Sequence, residues 1–379
     1  MRPSPVPALP PGLVRPALDG ISAYEPGRPI DDVRRQYGID SVVKLASNEG
    51  PHEPMPAAVA AIRASAEGVR MYPDPGAWAL RDALEGHTGV PATQILPGAG
   101  IDGLIALVCA AILDPGDELA MAWPSFMSWR QQAIARGATV RTAALREDGA
   151  YDLEALAAVV GPRTKLVVVV SPNNPTGQAV DAGELTAFLD GLPAHVLPVL
   201  DEAYFEYLPA GGHDGAADVA AGRPLAVVRT FSKAFGLAGL RVGYLMGPEA
   251  LIRTLGLVRS VFDVSAPAQA AAVASLGEAP SQLSGRVKLI TEQRAVVAEG
   301  LRDLGLTTLP SAANFLTFPT GSPERAAALN GALLERGVIV RPLGAFGAPE
   351  SIRVTIGWPH ENTRFLQALA EVLQAEQAE

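Results

Sequence analysis

The chain has 379 residues, 48% hydrophobic and 18% charged, which is enough apolar material for a large buried core and predicts two domains. Its net charge of -10 and isoelectric point near 5.1 argue against a nucleic-acid partner, which normally meets a clustered basic surface. No apolar run approaches the roughly 20 residues that span a bilayer, so we expect no membrane partner.

The N-terminal residues are rich in proline and lack the apolar core of a signal peptide. We expect residues 1 to about 16 to form a flexible arm. Cys109 is the single cysteine, which excludes an internal disulfide and fits a reducing cytoplasm, the predicted location. Because Cys109 lies in the apolar stretch 104–113, we interpret it as a core thiol rather than a reactive one.

Helix-like and strand-like stretches alternate from about residue 56 to residue 264, a pattern typical of a mostly parallel sheet covered on both faces. We therefore predict an α/β fold with a large domain at 50–265. From 266 onward, a helical run at 269–276 and strands near 338–340 and 352–356 predict a smaller α+β C-terminal domain at 266–379. Residues 1–49 are assigned to the arm and part of this small domain.

A glycine-rich turn, Gly-Ala-Gly-Ile-Asp-Gly at 98–103, precedes the apolar helical stretch. Backbone N–H groups at a helix N-terminus can bind a phosphate. Such a pattern by itself is more often only a turn, so it needs support from other parts of the chain.

Two predicted strands end in polar residues. The run 166–170 passes directly into Ser-Pro-Asn-Asn-Pro-Thr-Gly at 171–177, and the run 196–200 ends in Asp201-Glu202-Ala203-Tyr204. Open α/β sheets bind ligands at the carboxyl ends of their strands. We therefore expect Asn174, Asp201 and Tyr204 to face one site.

Lys233 lies among hydroxyls and small residues in the segment 230–241, which ends in Arg241. A lone lysine is usually solvated, but an amine can also condense with the aldehyde of pyridoxal phosphate, and Ser232 and Arg241 could hold the phosphate of that cofactor. Asp201 would then pair with the pyridine nitrogen, while Asn174 and Tyr204 would hydrogen-bond the ring hydroxyl. Lys233 would carry the aldehyde and later move a proton.

The Asn-Pro-Thr-Gly turn, the strand-end Asp-x-x-Tyr and the Ser-Lys…Arg segment occur in this order along the chain. Together they resemble the fold-type I pyridoxal-phosphate-dependent aminotransferases of the aspartate aminotransferase superfamily. The resemblance implies the transferase fold of type I and a homodimer with shared active sites. It also implies that the N-terminal arm packs with the small domain and reaches across the dimer interface.

The resemblance implies further cofactor contacts. The amides of Ile101 and Asp102 match positions that bind phosphate. Phe126 matches the aromatic residue that stacks on the cofactor ring, with core packing as the alternative. Tyr72, in Met-Tyr-Pro-Asp-Pro-Gly, matches the tyrosine that reaches the phosphate of the neighbouring subunit's cofactor.

The segments 337–347 and 351–357 look more specifically like those of histidinol-phosphate aminotransferases. By that resemblance, Arg353 binds an α-carboxylate, for which a planar guanidinium is suited, and Arg341 binds a distal phosphate. Asn48 and Asn314 match positions that line the substrate pocket. Tyr24 matches a tyrosine that the arm donates to the substrate phosphate of the other subunit.

The chain departs from this family where Asn-Glu-Asn-Pro-Leu-Gly-Pro is common and residues 48–54 read Asn-Glu-Gly-Pro-His-Glu-Pro. Glu53 would repel a substrate phosphate if it pointed inward and would have little effect in solvent. His52 is also new in this loop, and Ile101 and Gly103 replace the usual residues beside Asp102. The histidines of the chain show no metal-ligand spacing, so we predict no metal.

The resemblance implies a transaminase that converts histidinol phosphate and 2-oxoglutarate to imidazole acetol phosphate and glutamate, and this is the predicted reaction. An aromatic amino-acid aminotransferase is the alternative, because a pocket for imidazole also suits a phenyl ring. Decarboxylases and lyases share the fold and the same lysine and aspartate, so they form a further alternative.

Overall fold

The structure, a computed structural model, describes residues 10, 12–21 and 27–378. Tyr24 and most of the predicted flexible arm lie outside these residues. None of the helices within the described ranges is both long and apolar enough to cross a membrane.

Helices and strands alternate through most of the chain. The helices are α1 Ile30–Tyr37, α2 Pro56–Ser65, α3 Trp78–Thr88, α4 Gly100–Ile112, α5 Met127–Ala135, α6 Leu153–Ala158, α7 Ala182–Gly191, α8 Gly215–Ala220, α9 Glu249–Gly256, α10 Ala266–Asp303, α11 Pro323–Glu335 and α12 Pro359–Ala378. The strands are β1 Val43–Lys44, β2 Ile95–Gly98, β3 Glu118–Trp123, β4 Thr139–Ala144, β5 Thr164–Val170, β6 Leu197–Asp201, β7 Ala226–Thr230, β8 Gly243–Met246, β9 Phe315–Pro319, β10 Val338–Ile339, β11 Arg341–Pro342 and β12 Ser351–Thr355.

Seven strands form one mixed sheet in the order β2-β8-β7-β6-β5-β3-β4. Only β8 in this sheet runs antiparallel to its neighbours, so the predicted mostly parallel sheet is confirmed. The predicted strands at 166–170 and 196–200 correspond to β5 and β6. Because β2, β3, β5, β6 and β7 point the same way, the segments that follow them meet at one edge.

Helices cover both faces of the large sheet, which explains the continuous apolar run in β5. Val167 and Val169 pack into one cluster with α2, α3 and the first half of α10, while Val168 and Val170 pack into another with α4 and α5. Cys109 is fully buried in α4, and burial raises the pKa of its thiol to about 12. The interpretation of Cys109 as a core residue is confirmed.

A second core lies around the C-terminal strands. The antiparallel sheet β11-β12-β9 packs with α11, α12 and the second half of α10. The short parallel pair β1-β10 joins residues 43–44 to 338–339. The predicted strands at 338–340 and 352–356 correspond to β10 and β12, each ending one residue earlier than predicted.

Helix α10 extends far beyond the predicted run 269–276 and belongs to both cores. Its first buried residues, Ala268 to Ala279, pack beneath the large sheet, whereas Ile290 and Val297 pack with the C-terminal strands. Pro280 lies between these two sets, where it removes one intrahelical hydrogen bond. One continuous helix therefore connects the cores, and the domain boundary near residue 265 stays a prediction.

The described part of the N-terminal segment contacts both halves of the molecule. The 3₁₀ helix Pro16–Gly20 lies beside α5 on the large sheet, and Arg15 donates to the carbonyl of Ala135 at 2.8 Å. Further on, Val33 of α1 packs with Leu334 and Ile339 of the C-terminal core. Residues 12–21 thus differ from the expectation that the arm packs with the small domain.

A buried ion pair joins β7 to the turn after β6. The guanidinium of Arg229 binds Glu202 at 2.7 Å and Asp214 at 2.5 Å, and both Arg229 and Glu202 are 3% exposed. The other carboxylate oxygen of Glu202 accepts the Gly215 amide. Glu202 directly follows Asp201, so this pair stabilises the backbone that presents Asp201.

Replacing Arg229 with alanine should lower the free energy of unfolding by roughly 3–5 kcal/mol, because it leaves the buried Glu202 carboxylate without its counter-charge. Urea unfolding followed by circular dichroism measures this loss. Arg253→Ala is the matched control: Arg253 is 71% exposed in its pair with Glu249, and we expect a change within about 0.5 kcal/mol. Equal losses for both variants would contradict the structural role of Arg229.

Candidate active site

A cavity of about 500 Å³ opens at the edge where the parallel strands end. It is lined by residues from β-strand ends, the start of α4, the segment after β1, and β12. Eleven residues singled out from the sequence lie on its wall: Asn48, Ile101, Asp102, Phe126, Asn174, Asp201, Tyr204, Ser232, Lys233, Arg241 and Arg353.

Three other predicted residues lie elsewhere. Tyr72 is 79% exposed and stacks on Phe262, with ring centroids 4.2 Å apart. Asn314 is fully buried behind Asn48, and Arg341 is buried beside Arg353. None of the three lines the cavity of this chain.

Lys233 reaches the cavity from the turn that follows β7. Its Nζ lies 3.3 Å from the carbonyl of Ser47 and 5.7 Å from the ring centroid of Tyr204. Burial and the neighbouring guanidinium of Arg353 lower the pKa of the Lys233 amine to about 8. The amine is therefore largely neutral, and nucleophilic, at moderately alkaline pH.

Asp201 is the last residue of β6 and is 1% exposed. Burial raises the pKa of its carboxyl group to about 7, against the opposing effect of a hydrogen bond from Trp129. Trp129, in α5, donates its indole N–H to Oδ2 of Asp201 at 2.8 Å. A cationic group bound next to this buried carboxyl group would stabilise the carboxylate form of Asp201.

In the turn after β5, hydrogen bonds of Asn173 hold the backbone so that Asn174 faces the cavity. Asn173 turns away from the cavity and binds Ser125 and Thr176, which fixes the turn. Asn174 faces the cavity, and its Oδ1 accepts a hydrogen bond of 2.5 Å from Arg353. Arg353 also donates to the carbonyl of Ala46 at 2.9 Å.

The phosphate-binding prediction involves α4 and Arg241. Helix α4 begins at Gly100 without a side-chain cap, so its first N–H groups are open to an anion. Gly100 has φ +70°, and a Cβ there would lie 2.7 Å from Nη2 of Arg241. Arg241 itself has φ +53° and contacts Asp102 at 3.4 Å. The left-handed backbone at position 100 favours glycine, and the glycine lets the Arg241 guanidinium lie against the start of α4, where an anion would meet both.

Arg341 and Arg353 lie directly opposite each other in the antiparallel pair β11-β12. Both guanidinium carbons lie about 5.5 Å from the ring of Phe346, at 5.5 and 5.4 Å. Phe346 also lines the cavity. Arg353 lines the cavity, and Arg341 lies beside it without reaching the cavity wall, so positive charge is concentrated near one end of the cavity and favours a ligand with anionic groups.

The unusual loop at 50–54 does not enter the cavity. Glu53 is exposed, and its carbonyl accepts a hydrogen bond of 2.8 Å from Arg286. His52 packs edge-on against Trp358, with centroids 4.9 Å apart. Glu53 therefore does not repel an anionic ligand at close range.

Sequence reasoning missed Trp129 and Phe346. A tryptophan three residues after Phe126, at the start of a helix, could have indicated a side chain directed at the same sheet edge. Phe346 had no signal of its own, because only the pairing of β11 with β12 brings its 3₁₀ turn to the cavity.

The donor set fits pyridoxal phosphate. Lys233 supplies an amine with a lowered pKa, and Asp201 supplies a buried carboxyl group. Ser232, Arg241 and the start of α4 form a place where the dianionic phosphate of the cofactor could bind. Within the described ranges, no three His, Cys, Asp or Glu side chains cluster closely enough to hold a metal ion.

Comparison with known proteins identifies the same family over most of the chain. A family model described as "Aminotransferase class I and II" matches residues 40–369. A histidinol-phosphate aminotransferase of Anaeromyxobacter sp. (strain Fw109-5) is 40% identical over 366 residues, covering 96% of this chain and all of that protein.

Two solved structures resemble the fold. The histidinol-phosphate aminotransferase of Sinorhizobium meliloti, in complex with pyridoxal-5'-phosphate, has a TM-score of 0.89 at 29% identity and covers 96% of this chain and 98% of its own. A single mutant of Thermus thermophilus aspartate aminotransferase has a TM-score of 0.82 at 27% identity. The match covers 95% of this chain and 99% of that one. The predicted fold class is confirmed.

The low pKa of the Lys233 amine can be measured on protein freed of bound small molecules. Acylation of Lys233 by a small amine-reactive reagent, followed by mass spectrometry, should be half-maximal near pH 8, because only the neutral amine reacts. Arg353→Gln should move the midpoint upward, since it removes a neighbouring positive charge. A midpoint near the ordinary lysine value of about 10.4 would contradict the buried environment.

Proposed function

Since the chain belongs to the aminotransferase class I and II family, we propose that it transfers the amino group of histidinol phosphate to 2-oxoglutarate. The chain is a pyridoxal-phosphate-dependent transaminase. The products of the proposed reaction are imidazole acetol phosphate and glutamate, as in histidine biosynthesis. The observation that carries this choice is that Arg353 lines one end of the cavity while Arg341, buried directly opposite it in the β11-β12 pair, adds a second positive charge beside that end.

The residues of the cavity divide the work of holding the cofactor. Pyridoxal phosphate supplies an aldehyde that condenses with amines and a ring that withdraws electrons from the substrate α-carbon. Asp201 would hold the proton on the ring nitrogen, and Trp129 keeps its carboxylate oriented. Asn174 and Tyr204 would bind the ring hydroxyl, and Phe126 would stack on the ring.

Lys233 both anchors the cofactor and moves a proton. Its Nζ is directed into the cavity, and its lowered pKa makes it a competent base near neutral to alkaline pH. Ser232, Arg241 and the amides of Ile101 and Asp102 would fix the phosphate. In this division of roles, Arg353 on the cavity wall, with Arg341 beside it, is left to bind the substrate.

The arginines suit the two substrates of the proposed reaction. Arg353 would bind the α-carboxylate of glutamate, because a guanidinium fork matches a carboxylate. Arg341 would act on the phosphate of histidinol phosphate from its place beside Arg353 and Phe346. Asn48 lies on the cavity wall, while Asn314 supports it from behind.

Single-turnover absorbance of the purified, loaded enzyme tests the substrate. Histidinol phosphate and glutamate should each convert the cofactor to its amino form rapidly, and phenylalanine slowly. Arg341→Ala should lower kcat/KM for histidinol phosphate by roughly 100-fold and for phenylalanine by less than about threefold. Arg325→Ala, an exposed arginine paired with Glu376, is the control and should change neither.

Three outcomes would contradict the proposal. A preference for phenylalanine would indicate an aromatic amino-acid aminotransferase. Release of CO₂ or ammonia without a keto-acid acceptor would indicate a decarboxylase or lyase. Equal losses for both substrates in Arg341→Ala would remove the phosphate role of that residue.

We also propose a homodimer with shared active sites, located in the cytoplasm. The homodimer is supported by an exposed apolar surface, formed where segment 69–78 meets segment 257–262. Its large side chains are 41–85% exposed: Val69, Met71, Tyr72, Trp78, Leu257, Val258, Val261 and Phe262. Tyr72 stacks on Phe262 in this surface and does not line the cavity of its own chain.

Mixing two impaired variants tests the sharing of sites. Tyr72→Ala and Lys233→Ala, mixed at equal amounts under conditions that allow subunit exchange, should recover roughly a quarter of wild-type activity, because half of the dimers then carry one intact site. Sedimentation of the same samples measures the dimer. A dimer that recovers no activity would contradict the contribution of Tyr72 to the second site.

A further inference from the structure

Asn48 contacts the cavity with a side chain that is almost wholly buried. It is 1% exposed, lies in the segment between β1 and α2, and has a left-handed backbone with φ +54°. Asparagine adopts this conformation more readily than most residues with a side chain, but less readily than glycine, so contacts that hold the backbone stabilise it.

The holding contacts come from the C-terminal core. The backbone N–H of Asn48 donates to Oγ1 of Thr355 at 2.9 Å, and its carbonyl accepts from Nδ2 of Asn314 at 3.0 Å. Thr355 is the last residue of β12, and Asn314 directly precedes β9. Both sides of the Asn48 backbone are therefore fixed.

These contacts also fix the direction of the side-chain amide. Oγ1 of Thr355 accepts the Asn48 N–H and donates its own proton to Oδ1 of Asn48 at 3.1 Å. Since Oδ1 is the acceptor in that bond, the other end of the amide is the donor. Nδ2 of Asn48 donates to the phenol oxygen of Tyr204 at 2.8 Å.

We propose that Asn48 is a positioning residue that makes the Tyr204 phenol a hydrogen-bond donor toward the ring hydroxyl of bound pyridoxal phosphate. This inference rests on the proposed role of Tyr204 as a cofactor ligand. The phenol oxygen of Tyr204 accepts a hydrogen bond from the Asn48 amide. The phenol O–H therefore cannot be donated to that amide nitrogen and is directed to another oxygen. Tyr204 is 3% exposed and lines the cavity, where that oxygen would belong to the cofactor.

In this role Asn48 acts on the cofactor through Tyr204 and does not serve only to line a substrate pocket. A hydrogen bond donated to the ring oxygen stabilises the form in which that oxygen carries negative charge. The colour of the loaded enzyme reports on that protonation equilibrium. Removing the Asn48 donor should therefore change the titration of the cofactor before any substrate is added.

The experiment is a pH titration of the visible absorption of the loaded enzyme, together with the dissociation constant of the cofactor by equilibrium dialysis. Tyr204→Phe should raise the apparent pKa of the absorption change by roughly one to two pH units. Asn48→Gly should raise it by roughly half to one unit, because glycine tolerates the left-handed backbone while the donor is lost.

Asn48→Asp tests the direction of the hydrogen bond. A carboxylate at this position accepts the phenol proton instead of donating, so the shift should exceed that of Asn48→Gly. The introduced carboxylate also adds a negative charge, and this direct effect is removed by repeating the substitution in the Tyr204→Phe background. Asn330→Asp, the same change on α11 outside the cavity, is the control and should cause no shift.

The double variants decide the outcome. In the Tyr204→Phe background, Asn48→Gly should cause no further shift and Asn48→Asp a smaller one than in the parent enzyme. Equal shifts in both backgrounds would overturn the inference, because Asn48 would then act on the ligand directly. An unchanged titration in Tyr204→Phe alone would instead refute the role of Tyr204 as a cofactor ligand. None of the proposed variants substitutes another charged residue of the cavity wall; these are Lys233, Asp201, Arg353, Glu49, Asp102 and Arg241.

Discussion

The guanidinium of Arg353 joins three distant parts of the chain around the cavity. From β12 it donates to Asn174, which follows β5, and to the carbonyl of Ala46 in the segment after β1. It is 3% exposed, and a buried charge of this kind is stable only with good hydrogen-bonding partners. The large sheet and the C-terminal core are thus held together at the point where the substrate carboxylate would bind.

The same burial sets the chemistry of the cavity. Desolvation lowers the pKa of the Lys233 amine and raises the pKa of the Asp201 carboxyl group. In both cases burial favours the uncharged form of the group. Arg353 adds to the effect on Lys233, because two positive charges in one cavity repel each other. The carboxylate of a bound keto acid would offset that repulsion, so substrate binding and the proton affinity of Lys233 are linked.

Support for the reactive residues comes largely from behind the cavity wall. Trp129 holds Asp201, the Arg229–Glu202 pair holds the turn after β6, and Asn48 reaches Tyr204. Each of these supporting residues is distant in sequence from at least one residue it contacts. Local motifs contain the groups that would touch the cofactor, but not the groups that orient them.

Local sequence patterns were sufficient for the family, the fold class, β5 and β6, and the residues at the strand ends. The reason is that a buried parallel strand, its following turn and a lysine segment are each specified by consecutive residues. The length of α10, the burial of Asn314 behind Asn48, the outward direction of Glu53 and the contacts of Trp129 and Phe346 were decided only by tertiary structure. These features depend on which elements pack together. Packing brings side chains from β12, α5 and the segment after β1 to one edge of the sheet, through contacts between residues that are 72 to 307 positions apart along the chain.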